Sequence, residues 1–331
     1  MLTPLPETIW NLTHTDFQVL LDSGTLKRRN NTIYFYAPSF AYYHTKHFSS
    51  STKTFSSISL TGNSCALNCK HCGGKILQTM HSAPSPEDLF KLGVKLKSEG
   101  TQGVLISGGC LPDGSVPLDA FADVLGRLKH ELNLTVFVHT GLIYANTALL
   151  LKNAGIDAAL IDVLGSNATM QQTLNLKYTT DDCAKSLKVL NQAKLNVMPH
   201  VTVGLNRGKL DGEHRALQII QENCQPSAIV LIAFMPLPNT EMYRSPAPHP
   251  LDIAKVAATA RQMFPDIPVV LGCMRPKGKL RAETDVLVIK AGVDGLAFPS
   301  EETITYAKNM GYQIVFSPYC CAQIHLDSSR T

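Results

Sequence analysis

The chain has 331 residues, 44% hydrophobic and 17% charged, with a formal net charge of +4; this excludes a small stapled scaffold and a disordered chain, and leaves one large domain or two ordinary ones. No apolar run reaches the ~18 residues of a membrane span, and Met1-Leu2-Thr3-Pro4-Leu5-Pro6 lacks the basic start and apolar core of a signal peptide, so the expectation is no membrane and a cytoplasmic location. In that compartment nine cysteines argue for metal or redox chemistry rather than a disulfide framework.

Residues 1–55 read as an N-terminal extension: one helix over 7–21, stopped at Gly24, a short strand over 32–36, and a polar linker over 49–52. From Phe55 onward, β-branched runs alternate with helical stretches. Strands are predicted over 57–60, 103–107, 135–139, 158–162, 196–203, 228–234, 269–272 and 295–297. Helices are predicted over 86–99, 118–132, 146–153, 180–193, 211–223, 251–263, 282–290 and 301–310. Eight βα units over about 250 residues predict an α/β fold, a (β/α)8 TIM-type barrel over 56–311. A doubly wound sheet is the alternative. Residues 312–331 form a cysteine-containing tail, predicted to fold over the barrel mouth. The basic runs Lys27-Arg28-Arg29 and Arg275-Pro276-Lys277-Gly278-Lys279 read as solvated loops, with no nucleic-acid stripe.

In such barrels the chemistry sits at the C-terminal ends of the strands. There the chain carries Cys65-Ala-Leu-Asn-Cys69-Lys-His71-Cys72 after the first barrel strand, Ser107-Gly108-Gly109-Cys110 after the second, and His139-Thr140-Gly141 after the third. Asp162 ends the fourth and Cys273-Met274-Arg275 closes the seventh. Three cysteines in eight residues do not make a structural zinc site, which needs a fourth ligand, and no second C-x-x-C exists; the Cys69-x-His71 spacing is poor for joint coordination. Three thiolates on a four-iron cluster leave one iron open.

The Cys65-x3-Cys69-x2-Cys72 motif resembles the signature of the radical S-adenosylmethionine enzymes. The resemblance implies a [4Fe–4S] cluster whose open iron binds S-adenosylmethionine, reductive cleavage to a 5′-deoxyadenosyl radical, and an electron donor such as ferredoxin or flavodoxin. It also implies roles for single residues: His71 beside the adenine, Gly108 and Gly109 as the family's Gly-Gly-Glu segment with Cys110 in place of the carboxylate, and Asp162 as a ribose or methionyl contact. His139 shares that rim. Met235, within Phe234-Met235-Pro236-Leu237-Pro238, lies in a segment resembling the adenine-contacting turn of biotin synthase-like members.

Of the other cysteines, Cys183 and Cys224 fall in predicted helices and read as inert packing. Cys110, Cys273, Cys320 and Cys321 form a possible set for a second, auxiliary [4Fe–4S] cluster, with Arg275 as a further ligand or a carboxylate clamp. An auxiliary cluster suits sulfur insertion, as in biotin and lipoyl synthases. The overall pattern resembles the two-component, archaeal-type lipoyl synthases. That resemblance implies insertion of sulfur into an octanoyl chain on a lipoyl-carrier protein, with a second radical enzyme as partner. The alternatives are another radical reaction (biotin-synthase-like, carbon-skeleton rearrangement, methylation or metallocofactor maturation), a non-catalytic iron–sulfur protein, or a zinc-binding barrel.

Overall fold

The structure, a computed structural model, describes residues 4–50 and 53–328. The opening tripeptide of the sequence and part of the polar linker read at 49–52 therefore lie outside the described residues. Eleven strands form one sheet: β1 (Thr32–Tyr36), β2 (Phe55–Ser59), β3 (His81–Ser82), β4 (Gly103–Ser107), β5 (Thr135–His139), β6 (Ala158–Asp162), β7 (Val197–Val203), β8 (Ile229–Ala233), β9 (Val269–Leu271), β10 (Gly295–Ala297) and β11 (Gln313–Ser317). Their order is β11-β1-β10-β9-β8-β7-β6-β5-β4-β2-β3, and every pairing is parallel. The eight predicted barrel strands run consecutively from β10 to β2. The sheet is a curled half-barrel extended at both edges rather than a ring of eight. The lead-in strand β1 pairs with β10, in register Tyr34 to Gly295, and β11 pairs with β1.

Strand alternation separates the two faces of the sheet. One set of side chains, including Val104, Val136, Ala159, Val197, Ile229 and Val269, packs under the helices with Leu125, Leu187, Leu217 and Ile253. The other set, including Tyr36, Phe137, Leu160, Met198, Val230 and Val270, fills the concave interior. Both faces are apolar, as a parallel sheet covered by crossover helices requires.

Three local features depart from the sequence reading. The helix predicted over 7–21 is two helices, Pro6–Asn11 and His14–Asp22. Leu12 is extended, and Thr13 starts the second helix by accepting a hydrogen bond from the Asp16 N–H at 3.2 Å. The basic runs are solvated only at their lysines, Lys27, Lys277 and Lys279, and not at their arginines. Arg28 stacks over Tyr312, Arg29 pairs with the buried Asp294, and Arg275 is fully buried against Asp285. Long basic side chains here close the seams between β1, β9, β10 and the outer helices, which composition alone does not reveal.

The third departure is the tail. Tyr319 sits edge-on to Phe55, and its hydroxyl hydrogen-bonds Gln102. The His325 ring lies 5.9 Å from Phe137, and the Tyr36 hydroxyl donates to Asp327 at 3.0 Å. Cys320, Cys321, Ala322 and Ile324 join the interior cluster. Phe55 opens β2 and Gln102 precedes β4, so the tail enters beside the N-terminal ends of strands, away from the predicted mouth. Small residues make the room: Ala158 and Ala228 face the same interior, and a Cβ on Gly295 would stand 3.3 Å from the Ile324 side chain.

Candidate functional site

The cysteine loop leaves β2 and is tied down on three sides. Leu60 N–H bonds Ser107 O at 2.8 Å, continuing the β2–β4 ladder, and Ala66 N–H bonds Cys110 O at 2.9 Å. Lys70 N–H bonds Thr173 O at 2.9 Å, and the Lys70 carbonyl accepts from Met242 N–H at 3.2 Å. Asn175 donates its side-chain amide to the carbonyls of both Leu67 and Asn68 at 3.0 Å. The loop needs left-handed backbone at Asn68, Gly73 and Gly74, residues that adopt it with little or no steric cost.

This turn brings Cys69 and Cys72 together. Cys72 N–H and Gly73 N–H both point at the Cys69 carbonyl, at 3.2 and 2.7 Å. The sulfurs of Cys69 and Cys72 and a ring nitrogen of His71 fall within 4.8 Å of one another. The spacing argument against His71 is therefore corrected, because the reversal of the chain at Cys69 overcomes it. The Nδ1 of His71 is buried without a hydrogen-bond partner.

Cys65 is placed next to Cys110, whose thiol hydrogen-bonds it. The approach is close because Gly109 has no side chain: a Cβ there would lie 1.9 Å from Ser64 O and 2.7 Å from Cys65 Cα. Thr61 braces the same point, its hydroxyl accepting Gly109 N–H at 2.7 Å. The hydrogen bond from Cys110, helped by backbone N–H groups of Leu67 and Asn68, lowers the Cys65 pKa to about 5 and raises that of Cys110. The bond between Cys69 and Cys72 likewise lowers Cys72 to about 4 and raises Cys69. Thiolates are the form that binds metal.

On the neighbouring strand ends, His139 Nε2 lies 3.8 Å from Asp162 and its ring 5.3 Å from that of His200. Asp162 is exposed, and Met235 is half-buried just past β8. Gly204, after β7, gives its N–H to the buried Glu213 at 2.8 Å; Glu213 also accepts from Asp211 N–H at 2.7 Å. Reading the sequence missed Asn175, His200 and Glu213. Asn175 is a lone polar residue in a loop and carries no pattern. His200 ends an inward register that could be counted only once β7 was fixed.

A second group of thiols lies inside the barrel. Cys273 follows β9, and Cys320 and Cys321 enter with the tail; the three interact electrostatically, and Cys320 and Cys321 also share a hydrogen bond. Burial raises the Cys273 pKa to about 11. Cys110 is not brought to this group. Arg275 binds Asp285 through two nitrogens at 2.9 and 3.0 Å and gives a third bond to Gly272 O at 2.7 Å, so its guanidinium is committed to protein partners.

Set against known proteins, residues 59–211 match the model of the Radical SAM superfamily. More particular likenesses are distant. The biotin synthase of Methylacidiphilum infernorum is 19% identical over 75% of this chain and 80% of its own length, and that of Neorickettsia sennetsu is 22% identical over 76% and 77%. The crystal structure of methylornithine synthase (PylB) superposes with a TM-score of 0.61 at 15% identity, covering 94% of this chain and 93% of that one. The [FeFe]-hydrogenase maturase HydG superposes at 0.64 with 18% identity, over 98% and 74%. These structures share the fold.

The radical SAM fold implies a [4Fe–4S] cluster with S-adenosylmethionine. The donors at the mouth suit one: several thiols, two of them lowered toward thiolate, on a loop held by backbone bonds. Among the described residues, Cys69, His71 and Cys72 are the set whose metal-binding atoms all converge within 4.8 Å.

Proposed function

We propose that the protein is a radical S-adenosylmethionine enzyme that inserts sulfur into an unactivated C–H bond. Cys65, Cys69 and Cys72 would hold the cluster. Gly108 and Gly109 would leave backbone space for the methionyl group, with His71, His139, Asp162 and Met235 around the nucleoside. Cys273, Cys320 and Cys321 would hold an auxiliary cluster. When bound, the first cluster and S-adenosylmethionine supply hydrogen-atom abstraction, and the auxiliary cluster supplies sulfur.

The observation that carries this reading is the second group of thiols. Cys273, just past β9, and the adjacent pair Cys320 and Cys321 from the tail come near one another within the apolar interior cluster. Leu160, Met198, Val230 and Val270 line the space between sheet and tail and exclude water from whatever reacts there. Arg275, locked to Asp285, holds the segment carrying Cys273. The substrate proposed is an octanoyl chain on a lipoyl-carrier protein, with a second radical enzyme as partner and ferredoxin or flavodoxin as electron donor; such a chain is long, flexible and apolar enough to enter the barrel.

The test is an anaerobic reaction of the iron- and sulfide-reconstituted chain with an octanoylated carrier peptide, with and without a partner enzyme. Mass increments for one or two sulfur atoms are expected, together with about eight irons per chain for two four-iron clusters. Deoxyadenosine formation without sulfur transfer, at half that iron content, would assign the chain to a different radical reaction.

A further inference from the structure

We infer that Cys110 is a fourth, displaceable thiolate ligand to the mouth cluster, closing the site until S-adenosylmethionine takes its place; this rests on the cluster reading above. Cys110 occupies the position where the family's pattern has a carboxylate, yet it faces the cysteine loop. Its thiol hydrogen-bonds Cys65, and its carbonyl holds Ala66 N–H at 2.9 Å. It interacts electrostatically with Cys65, Asp162 and Cys72, whereas Cys273 does so with Cys320, Arg275 and Arg281. Cys69 interacts electrostatically with Cys65, Cys72 and Cys110, and Cys110 with Cys65 and Cys72.

The backbone fixes this placement. Gly109 is pressed against Ser64 and Cys65 so closely that any side chain would clash, and the Thr61 hydroxyl pins its N–H. Cys110 thus cannot swing its main chain away; only its side chain can turn. Four cysteine thiolates are a complete ligand set for a four-iron cluster. Exchange needs no electron transfer. The Cys110 sulfur–iron bond breaks, its thiolate takes a proton from water, and the vacated iron accepts the amino and carboxylate groups of S-adenosylmethionine. Closing an otherwise open iron protects it from oxidants and adventitious ligands between turnovers.

The experiment uses the full chain, reconstituted anaerobically, as wild type, Cys110→Ala and Cys110→Ser. Each is oxidised with ferricyanide in the absence of S-adenosylmethionine, and the three-iron product is followed by electron paramagnetic resonance. Any contribution from an auxiliary cluster is common to all three. Loss of a ligand should speed loss of the unique iron about tenfold or more, and S-adenosylmethionine should slow the variants back toward wild type. Equal rates in all three overturn the proposal. A wild-type chain that forms no iron–sulfur chromophore sinks the cluster reading instead. Should both variants fold poorly, iodoacetamide labelling of loaded wild type decides: Cys110 is expected to be protected alone and alkylated several-fold more once S-adenosylmethionine is added, and labelling unaffected by it overturns the ligand role.

Discussion

The two thiol groups are built by opposite means. The mouth group, Cys65 to Cys72, comes from one short loop whose geometry is set locally, by left-handed Asn68, Gly73 and Gly74 and by a reversal of the chain at Cys69. The interior group joins the end of β9 to a tail some 47 residues later, and it exists only because the tail enters the barrel. The mouth loop has a turn of its own, which Thr173, Asn175 and Met242 then hold in place, whereas the interior group has no such turn. The chemistry of the two groups is alike in one respect: a thiol neighbour lowers Cys72 at the mouth and Cys320 inside, and raises Cys69 and Cys321.

Cys69→Ala is the most damaging change expected at the mouth. It should abolish cleavage of S-adenosylmethionine and remove about half of the iron if two four-iron clusters form, which iron analysis and deoxyadenosine assay read together. Cys320→Ala should remove a similar share of iron, leave S-adenosylmethionine cleavage in place, and end sulfur transfer. Identical phenotypes for the two would erase the distinction between the groups. Next in size is Asp285→Ala. It strands a fully buried guanidinium, Arg275, beside Cys273, at a cost of about 3–5 kcal/mol; chemical denaturation should show that loss in full, with the interior group losing metal before the mouth does.

How far the sequence reveals these two regions follows from the same contrast. The mouth motif just after the first barrel strand and eight of the strands are local or periodic signals, and they are where they were expected. Periodicity cannot say that β1 pairs with β10 or that β11 adds to β1, since both pairings join segments some 260 to 280 residues apart. Nor can it say that the tail goes under the barrel. That depends on Gly295, Ala158 and Ala228 leaving a hollow, a property of three strands together. Cys110 is the instructive case. Its strand end was legible, but its partner was decided by the missing side chain of Gly109, a contact between two loops.

His200 offers a pH-dependent test of the region between the groups. Burial, with His139 beside it, lowers its pKa to about 4. Asp162 opposes that shift, and His200 Nδ1 bonds Met198 O at 3.0 Å. The folded state therefore binds this proton less readily than the unfolded chain, where an imidazole titrates near 6.5. Its stabilising contribution is fully present above about pH 6.5 and is lost as pH falls toward 4, a difference of about 3 kcal/mol. Denaturation midpoints of wild type should drop more steeply across that window than those of His200→Gln; parallel curves would mean that the imidazole is not kept neutral by its surroundings.

The smallest expected effect bears on the tail. Ile324 is fully buried, and its side chain reaches the hollow over Gly295. Ile324→Val removes one methylene from a packed interior, at a cost of about 1 kcal/mol. The tail is also held by Tyr36 with Asp327 and by Tyr319 with Gln102, so the substitution should loosen it without releasing it. Hydrogen exchange would then rise at residues 320–327 while the loop at 65–72 stays protected, because that loop is held by bonds to Cys110, Thr173, Asn175 and Met242. Faster exchange at both places would mean that the two thiol groups share one cooperative unit, and that the interior packing beneath the mouth supports the cysteine loop as well as the tail.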